Sequence, residues 1–287
     1  MGSSAGTPAG ERGCMRLINR KPSRRTAVFL GLLPFIFVAI LYMVASDIRL
    51  SQNPSDRLLP SMSTMLESMR QMAAVPDKRN GELLLWKDTL ASLYRLAMGL
   101  GLSTVLALVI GLVMGILPYG RAALAPFTSA FSLIPPITVL PILFILLGLG
   151  EAAKVGLIVV GTAPVMIRTL AQASLDIPRE LVIKAETLGA SSWQIATRVI
   201  MPNVLPVLIS ALRIGLIPAW IFLVSAEAIA STEGLGYRIF LVRRYMAMDI
   251  ILPYVAWITL LAFIMDRLLL SLSKLAFRWK HIEGDSL

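Results

Sequence analysis

Cysteine and histidine occur once each, at Cys14 and His281. A lone thiol builds no disulfide framework. A lone thiol and a lone imidazole also leave nothing for a zinc site or for the nucleophile–base pair of an intramembrane enzyme. Charge is scarce as well: 15% of the 287 residues are Asp, Glu, Lys or Arg, against roughly 25% in soluble domains. No G-x-x-x-x-G-K-[ST] phosphate loop occurs, so the chain has no usual means of holding ATP. What is abundant is apolar. Hydrophobic residues make up 56% of the chain and the mean hydropathy is +0.76, more apolar surface than a soluble domain of this length can hide. The formal charge of +10 forms no basic stripe of the nucleic-acid-binding kind. The excess sits at the ends and short loops of apolar segments, where it orients helices in a membrane.

Residues 1–26 are small, polar and basic, with Arg12, Arg16, Arg20, Lys21, Arg24 and Arg25. The apolar run 27–45 that follows exceeds a typical signal-peptide core, and no clear small-x-small cleavage site succeeds it. It reads as a retained transmembrane helix with its basic end in the cytoplasm. Residues 46–89 form a polar external loop punctuated by Pro54, Pro60 and Pro76, with a short amphipathic helix at 62–72. A core over 90–273 carries the remaining apolar blocks, about 90–117, 122–149, a block ending near Ala173, 204–230 and 250–272. A basic cytoplasmic tail, 274–287, closes the chain. The pattern predicts an all-α polytopic membrane protein with six crossings (five is the alternative) and both termini inside. Arg238, Arg243 and Arg244 then fall outside, a local exception to a statistical rule. Pro126, Pro135, Pro136 and Pro141 interrupt the 122–149 block, which lipid tolerates only where other groups satisfy the freed carbonyls.

The stretch KAETLGASSWQIATRVIMPNVLP, residues 184–206, breaks this apolar rhythm. Asp176 and Pro178 suit a helix start, and Gly189 suits a left-handed stop. Ser191 and Gln194 match a capping box that starts a second helix running toward Pro202 and Pro206. The expected product is two short helices at an angle on the cytoplasmic side, within a loop 176–203. Elsewhere, Gly111-x-x-x-Gly115 predicts close internal packing of helices. Arg95 and Glu151 read as interfacial anchors, and Asp266 and Arg267 as an internal pair or snorkelling residues. Glu227, an acid inside a span, reads either as structural, paired with Arg213 or Arg238, or as facing the solute pathway.

The spacing within this stretch resembles the coupling-loop motif of binding-protein-dependent ABC transporter permeases. That pattern is Glu-Ala-Ala, three residues, Gly, nine residues, then Ile-x-Leu-Pro. Ala185, Gly189, Val199 and Pro202 fall on matching positions; Met201 replaces leucine, Ile183 the glutamate and Lys184 the first alanine. From about Leu90 onward the chain is similar to the nitrate, sulfonate and taurine branch. That likeness rests on Ser92-Leu93-Tyr94-Arg95, Ile134-Pro135-Pro136, Leu140-Pro141, the run 144–151, Ala226-Glu227 and Glu233-Gly234-Leu235-Gly236-Tyr237. The run 226–245 also resembles permeases associated with urea-carboxylase-type pathways.

The resemblance implies a type I ABC importer permease fold with cytoplasmic coupling helices in a cell inner membrane. It implies a solute path for a small polar molecule, a urea or guanidine-type nitrogen compound, the alternative being nitrate, sulfonate or taurine. Lys184, Ala185, Glu186, Gly189, Ala190, Ser191, Trp193 and Pro202 would meet the ATPase; Glu227, Arg213 and Pro136 would line the path or gate. The implied partners are a second copy of the chain, two ATP-binding subunits, an external solute-binding protein and membrane lipid, with no nucleic acid. ATP and Mg would reside on the ATPase subunits, and this chain would bind no cofactor and catalyse nothing. A secondary transporter is the distant alternative, which more often shows a longer chain with paired broken helices.

Overall fold

The computed structural model describes residues 23–53, 56–77 and 81–279. Cys14, His281, the basic residues Arg12, Arg16, Arg20 and Lys21, and the tail beyond residue 279 lie outside the described residues. The chain divides into two compact units, Met1–Ser55 and Asp56–Leu287.

The first unit holds helix α1 (Arg24–Gln52), started by the Ser23 hydroxyl, which accepts from the Thr26 amide. α1 is longer than the apolar run 27–45 because its polar ends continue the helix past the hydrocarbon length.

The second unit comprises α2 (Met62–Ala74), α3 (Leu84–Ile116), α4 (Pro118–Ser132), α5 (Pro136–Leu147), α6 (Glu151–Leu175), α7 (Arg179–Thr187), α8 (Ser192–Gln194), a π-helical segment (Ile195–Ile200), α9 (Met201–Ala230), α10 (Leu235–Arg243) and α11 (Met248–Ala276). Among the described residues, five helices are long and apolar enough to cross a membrane. α4 and α5, bent by 100° at their junction, make a sixth if counted as one broken span. The bend falls at Pro135 and Pro136. A residue before proline is pushed to extended backbone, and Pro135 sits at φ −63, ψ 116 as the cap of α5 with Pro136 in its first turn.

α3, α6 and α9 form the centre. A Cβ on Gly111 would stand 2.8 Å from Leu170 Cβ, and one on Gly115 2.3 Å from Ser174 Cβ, so the two glycines let α3 lie directly on α6. Two apolar clusters fill the bundle. One, with Leu96, Leu157, Ile158, Leu223, Leu235 and Tyr254, lies toward the α10 end. The other, with Met114, Met166, Leu170, Ile195, Ile200 and Val204, lies toward α7 and the π segment.

Candidate functional site

At one end of the bundle, residues 176–203 form a closed elbow. Leu188 caps the C-terminus of α7, and Gly189 takes φ +81. The Gly189 amide donates to Glu186 O at 2.9 Å and the Ala190 amide to Ala185 O at 3.0 Å, the paired bonds that close a helix through a left-handed residue. Ser191 follows at once. Its hydroxyl accepts from the Gln194 amide at 3.3 Å, while its own amide donates to Gln194 Oε1 at 2.8 Å, the reciprocal capping box. Contrary to the expected helix start, Asp176 does not cap α7; Pro178 occupies the cap position. Asp176 instead ends α6, and its carboxylate accepts from Gln172 Nε2 at 2.7 Å.

Side chains of the elbow face two ways. Ala185, Ala190 and Val199 pack against the apolar cluster that contains Ile195 and Ile200. Lys184, Glu186, Ser191 and Trp193 are exposed. Leu188 is 88% and Trp193 75% exposed, and Ile183, where the motif carries glutamate, is also open. Pro202 sits in the first turn of α9 directly after the π segment. Its ring would meet the carbonyl four residues back in a regular helix. The wider turn accommodates it, with the Met201 amide reaching Ala196 O five residues back. The π segment carries no signal in a hydropathy pattern; Pro202 is the one residue that points to it.

At the opposite end of α9, a buried polar network replaces the expected anchors and pairings. Arg95 is 2% exposed, so it is no interfacial anchor. Its Nε and Nη2 donate to the two Glu151 carboxylate oxygens at 2.5 and 2.9 Å, and its Nη1 donates to Glu227 Oε1 at 2.7 Å and to Glu233 O at 2.9 Å. Glu227 therefore pairs with Arg95, and not with Arg213 or Arg238. Arg213 lies fourteen residues earlier on the same helix, about 21 Å along its axis, and binds Asp266 of α11 through two bonds of 2.8 and 3.0 Å. Arg267 lies over the Phe263 ring at 4.9 Å instead of pairing with Asp266. Arg238 binds Asp88 at 2.7 Å.

The network also starts α10. The first amides of a helix lack partners within it. Here the Gly234 amide donates to Asp88 Oδ1 at 2.9 Å, Leu235 to Ser92 Oγ at 2.8 Å, and Gly236 to Glu227 Oε2 at 2.8 Å. Two carboxylates at the positive end of a helix also favour its dipole. Gly234 adopts φ +125, and a Cβ there would stand 2.5 Å from the Glu227 carboxyl carbon. Glu227 is fully buried, and its oxygens accept from Arg95, Ser92 and Gly236. Pro136 is part-buried at the α4–α5 bend, on a separate element from Glu227 and Arg213.

Comparison with known proteins defines the class. Residues 103–277 match the family described as binding-protein-dependent transport system inner membrane component. Over 258 residues the chain is 31% identical to the taurine transport system permease protein TauC of Escherichia coli (strain K12), covering 90% of this chain and 91% of that protein. It is 28% identical over 226 residues to the putative aliphatic sulfonates transport permease protein SsuC of the same organism, covering 78% and 83%. In fold it is similar to a chain of the MetNI methionine ABC transporter, captured in inward-facing conformations. That match has a TM-score of 0.59 and 22% identity, and covers 69% of this chain and 98% of that one. The chain belongs to the binding-protein-dependent permease family: it is a multi-pass ABC importer permease.

Proposed function

We propose that the chain is the permease of an importer for taurine or a related small sulfonate. Two copies form one translocation path, with N- and C-termini in the cytoplasm. Two ATP-binding subunits, which hold the ATP and Mg, seat the 176–203 elbow, and an external solute-binding protein delivers the solute at the Arg95–Glu227 end. The observation that carries this reading is the two-faced elbow. Ala185 and Ala190 are seated on the bundle core while Leu188 and Trp193 stand open beside them. Apolar side chains held outward on a closed turn favour a partner with an apolar cleft. A partner that binds one arrangement of the elbow more tightly than another shifts the bundle by that difference in affinity. Lys184, Glu186 and Ser191 rim the same surface. For the solute, the sulfonate and taurine alternative is favoured over a urea or guanidine compound by the relatives TauC and SsuC, named for taurine and aliphatic sulfonates.

The test is reconstitution of the permease with its ATPase subunits and binding protein in liposomes. ATP-dependent taurine uptake is expected, unaffected by excess urea or guanidine. A valine at position 189 is strained at φ +81, a conformation costing roughly 1–2 kcal/mol for an ordinary residue and more for a β-branched one. Gly189→Val is expected to cut uptake at least about tenfold and to release the ATPase on purification. Undiminished uptake without the ATPase, or preferential uptake of guanidine, refutes the reading.

A further inference from the structure

Among the described residues of the membrane-spanning helices, Arg95 meets the carboxylates of Glu227 and Glu151, and Arg213 that of Asp266, while Arg267 lies over the Phe263 ring. Arg168, two turns before the end of α6, makes no hydrogen bond or ion pair among the described residues. It lies about 10 Å along the axis from the elbow end of α6, where an unmatched charge is costly unless it meets water or a ligand. Arg168 lines a cleft of about 790 Å3 between the elbow ends of α6 and α9, together with Thr169, Gln172, Asp176, Asn203 and Val207.

That volume suits a small solute, and the cleft continues inward. A second cleft of about 80 Å3 shares Val165 and Thr169 with it and reaches Gly161 and Pro218 farther along the span. The only carboxylate on the lining is Asp176, two turns from Arg168, and Gln172 Nε2 donates to it. Asn203 spends one donor on Val199 O, and Thr169 bonds Val165 O within its own helix. Near Arg168 the lining therefore offers a guanidinium with all its donors free, beside neutral amide groups.

We infer that this cleft is a subsite for a small oxyanion, with Arg168 as the counter-charge that selects a sulfonate head group on the elbow side of the path. The inference deepens the sulfonate reading and rests on it. A lipid phosphate shares the chemistry of a sulfonate, and the test separates the two.

The experiment uses the complete permease–ATPase complex with Cys14→Ser, which removes the single cysteine, and Val207→Cys as a reporter in the cleft. The rates of mixed-disulfide formation between the thiol introduced at position 207 and an anionic or a cationic methanethiosulfonate, with methanesulfinate as the leaving group, are compared with and without methanesulfonate. With Arg168 present, the anionic reagent should react about tenfold faster than the cationic one, the scale expected of a nearby unit charge, and methanesulfonate should slow it. Arg168→Gln should abolish both effects. Arg168→Lys should keep the charge preference and lose most of the protection, because an ammonium lacks the planar fork. An unchanged preference in Arg168→Gln overturns the inference. So does protection by phosphatidylglycerol vesicles but not by methanesulfonate, which assigns the site to lipid.

Taurine uptake by liposomes is measured in parallel. Arg168-dependent protection in a complex that imports no taurine keeps the subsite and sinks the import reading. Equal taurine uptake by Arg168→Gln, without protection in the parent, does the reverse.

Discussion

Replacing Glu227 tests whether the network at the far end of α9 holds the fold. Glu227→Ala removes the acceptor of Arg95 Nη1 at 2.7 Å, of Ser92 Oγ at 2.8 Å and of the Gly236 amide at 2.8 Å. Breaking a buried pair by removing one partner costs about 3–5 kcal/mol. Arg95 keeps Glu151, which is half exposed, so the lower end of that range applies. Glu227→Gln preserves volume but brings an amide NH2 against three donors, and one oxygen cannot serve them all. A loss of about 1–3 kcal/mol follows from leaving buried donors unmatched. The assay is equilibrium unfolding of the permease in mixed micelles, run as a double-mutant cycle with Arg95→Ala. Removal of both partners should cost less than the sum of the single losses, with a coupling of about 2 kcal/mol, inside the range for residues in contact. A loss below about 1 kcal/mol for Glu227→Ala with no coupling refutes the argument. If uptake vanished while stability held, Glu227 would belong to the solute path and not to the scaffold.

Two further outcomes follow from the same geometry. Gly115→Ala should destabilise by about 1–3 kcal/mol, an overpacking cost, because its Cβ would overlap Ser174. Gly101→Ala on the same helix meets nothing within 4 Å and should gain up to about 1 kcal/mol from helix propensity; thermal unfolding of the two variants compares them directly. Ile183→Glu, on the open face of α7, should leave stability within about 0.5 kcal/mol and leave uptake per ATP hydrolysed unchanged, since Ala185 and Ala190 do the seating. A marked rise in that ratio would show that the glutamate of the family motif has a role this chain lacks.

The elbow was the most legible part of the chain because its signals are local. A left-handed glycine, a capping serine and its glutamine partner lie within six residues, and each specifies backbone geometry without reference to the rest of the fold. Gly111 and Gly115 were legible for a similar reason, since only small residues permit helix axes to close in. The Arg95–Glu227 pair was not, because 132 residues separate its members and hydropathy says nothing about which charges meet. Each reads as a liability at a membrane boundary until the other is beside it. The sequence offers Arg213 or Arg238 as partners of Glu227, yet helix rise places Arg213 too far along α9 and Arg238 binds Asp88. The motifs Ser92-Leu93-Tyr94-Arg95 and Glu233-Gly234-Leu235-Gly236 were visible separately. Their joint purpose, capping α10 from a neighbouring helix, emerges only when α3 and α9 are adjacent. The break between α4 and α5 was foreshadowed by Pro135 and Pro136, but its 100° angle depends on the packing of both halves.

The two ends of α9 are held by different kinds of force. At Glu227 the helix is tied to α3 and α10 by short directional bonds, and Arg95 carries that tie on to α6 through Glu151. Displacing this end by an ångström or two would break charge-assisted bonds in a dry setting, where unpaired groups are costly. At the other end the contacts are apolar. Ile195, Ile200 and Val204 lie among Met166, Ile167 and Leu170, and apolar contact is non-directional, so its energy changes little when surfaces slide while remaining covered. Between elbow and span lies the π segment, whose widened turn is already a departure from the regular ladder. A force applied at Leu188 and Trp193 would therefore reach a helix that is free to shift near the elbow and fixed in register about 39 Å away, by the rise over the 26 residues from Met201 to Glu227. The bonding predicts that α9 pivots about its Glu227 end instead of translating as a rod.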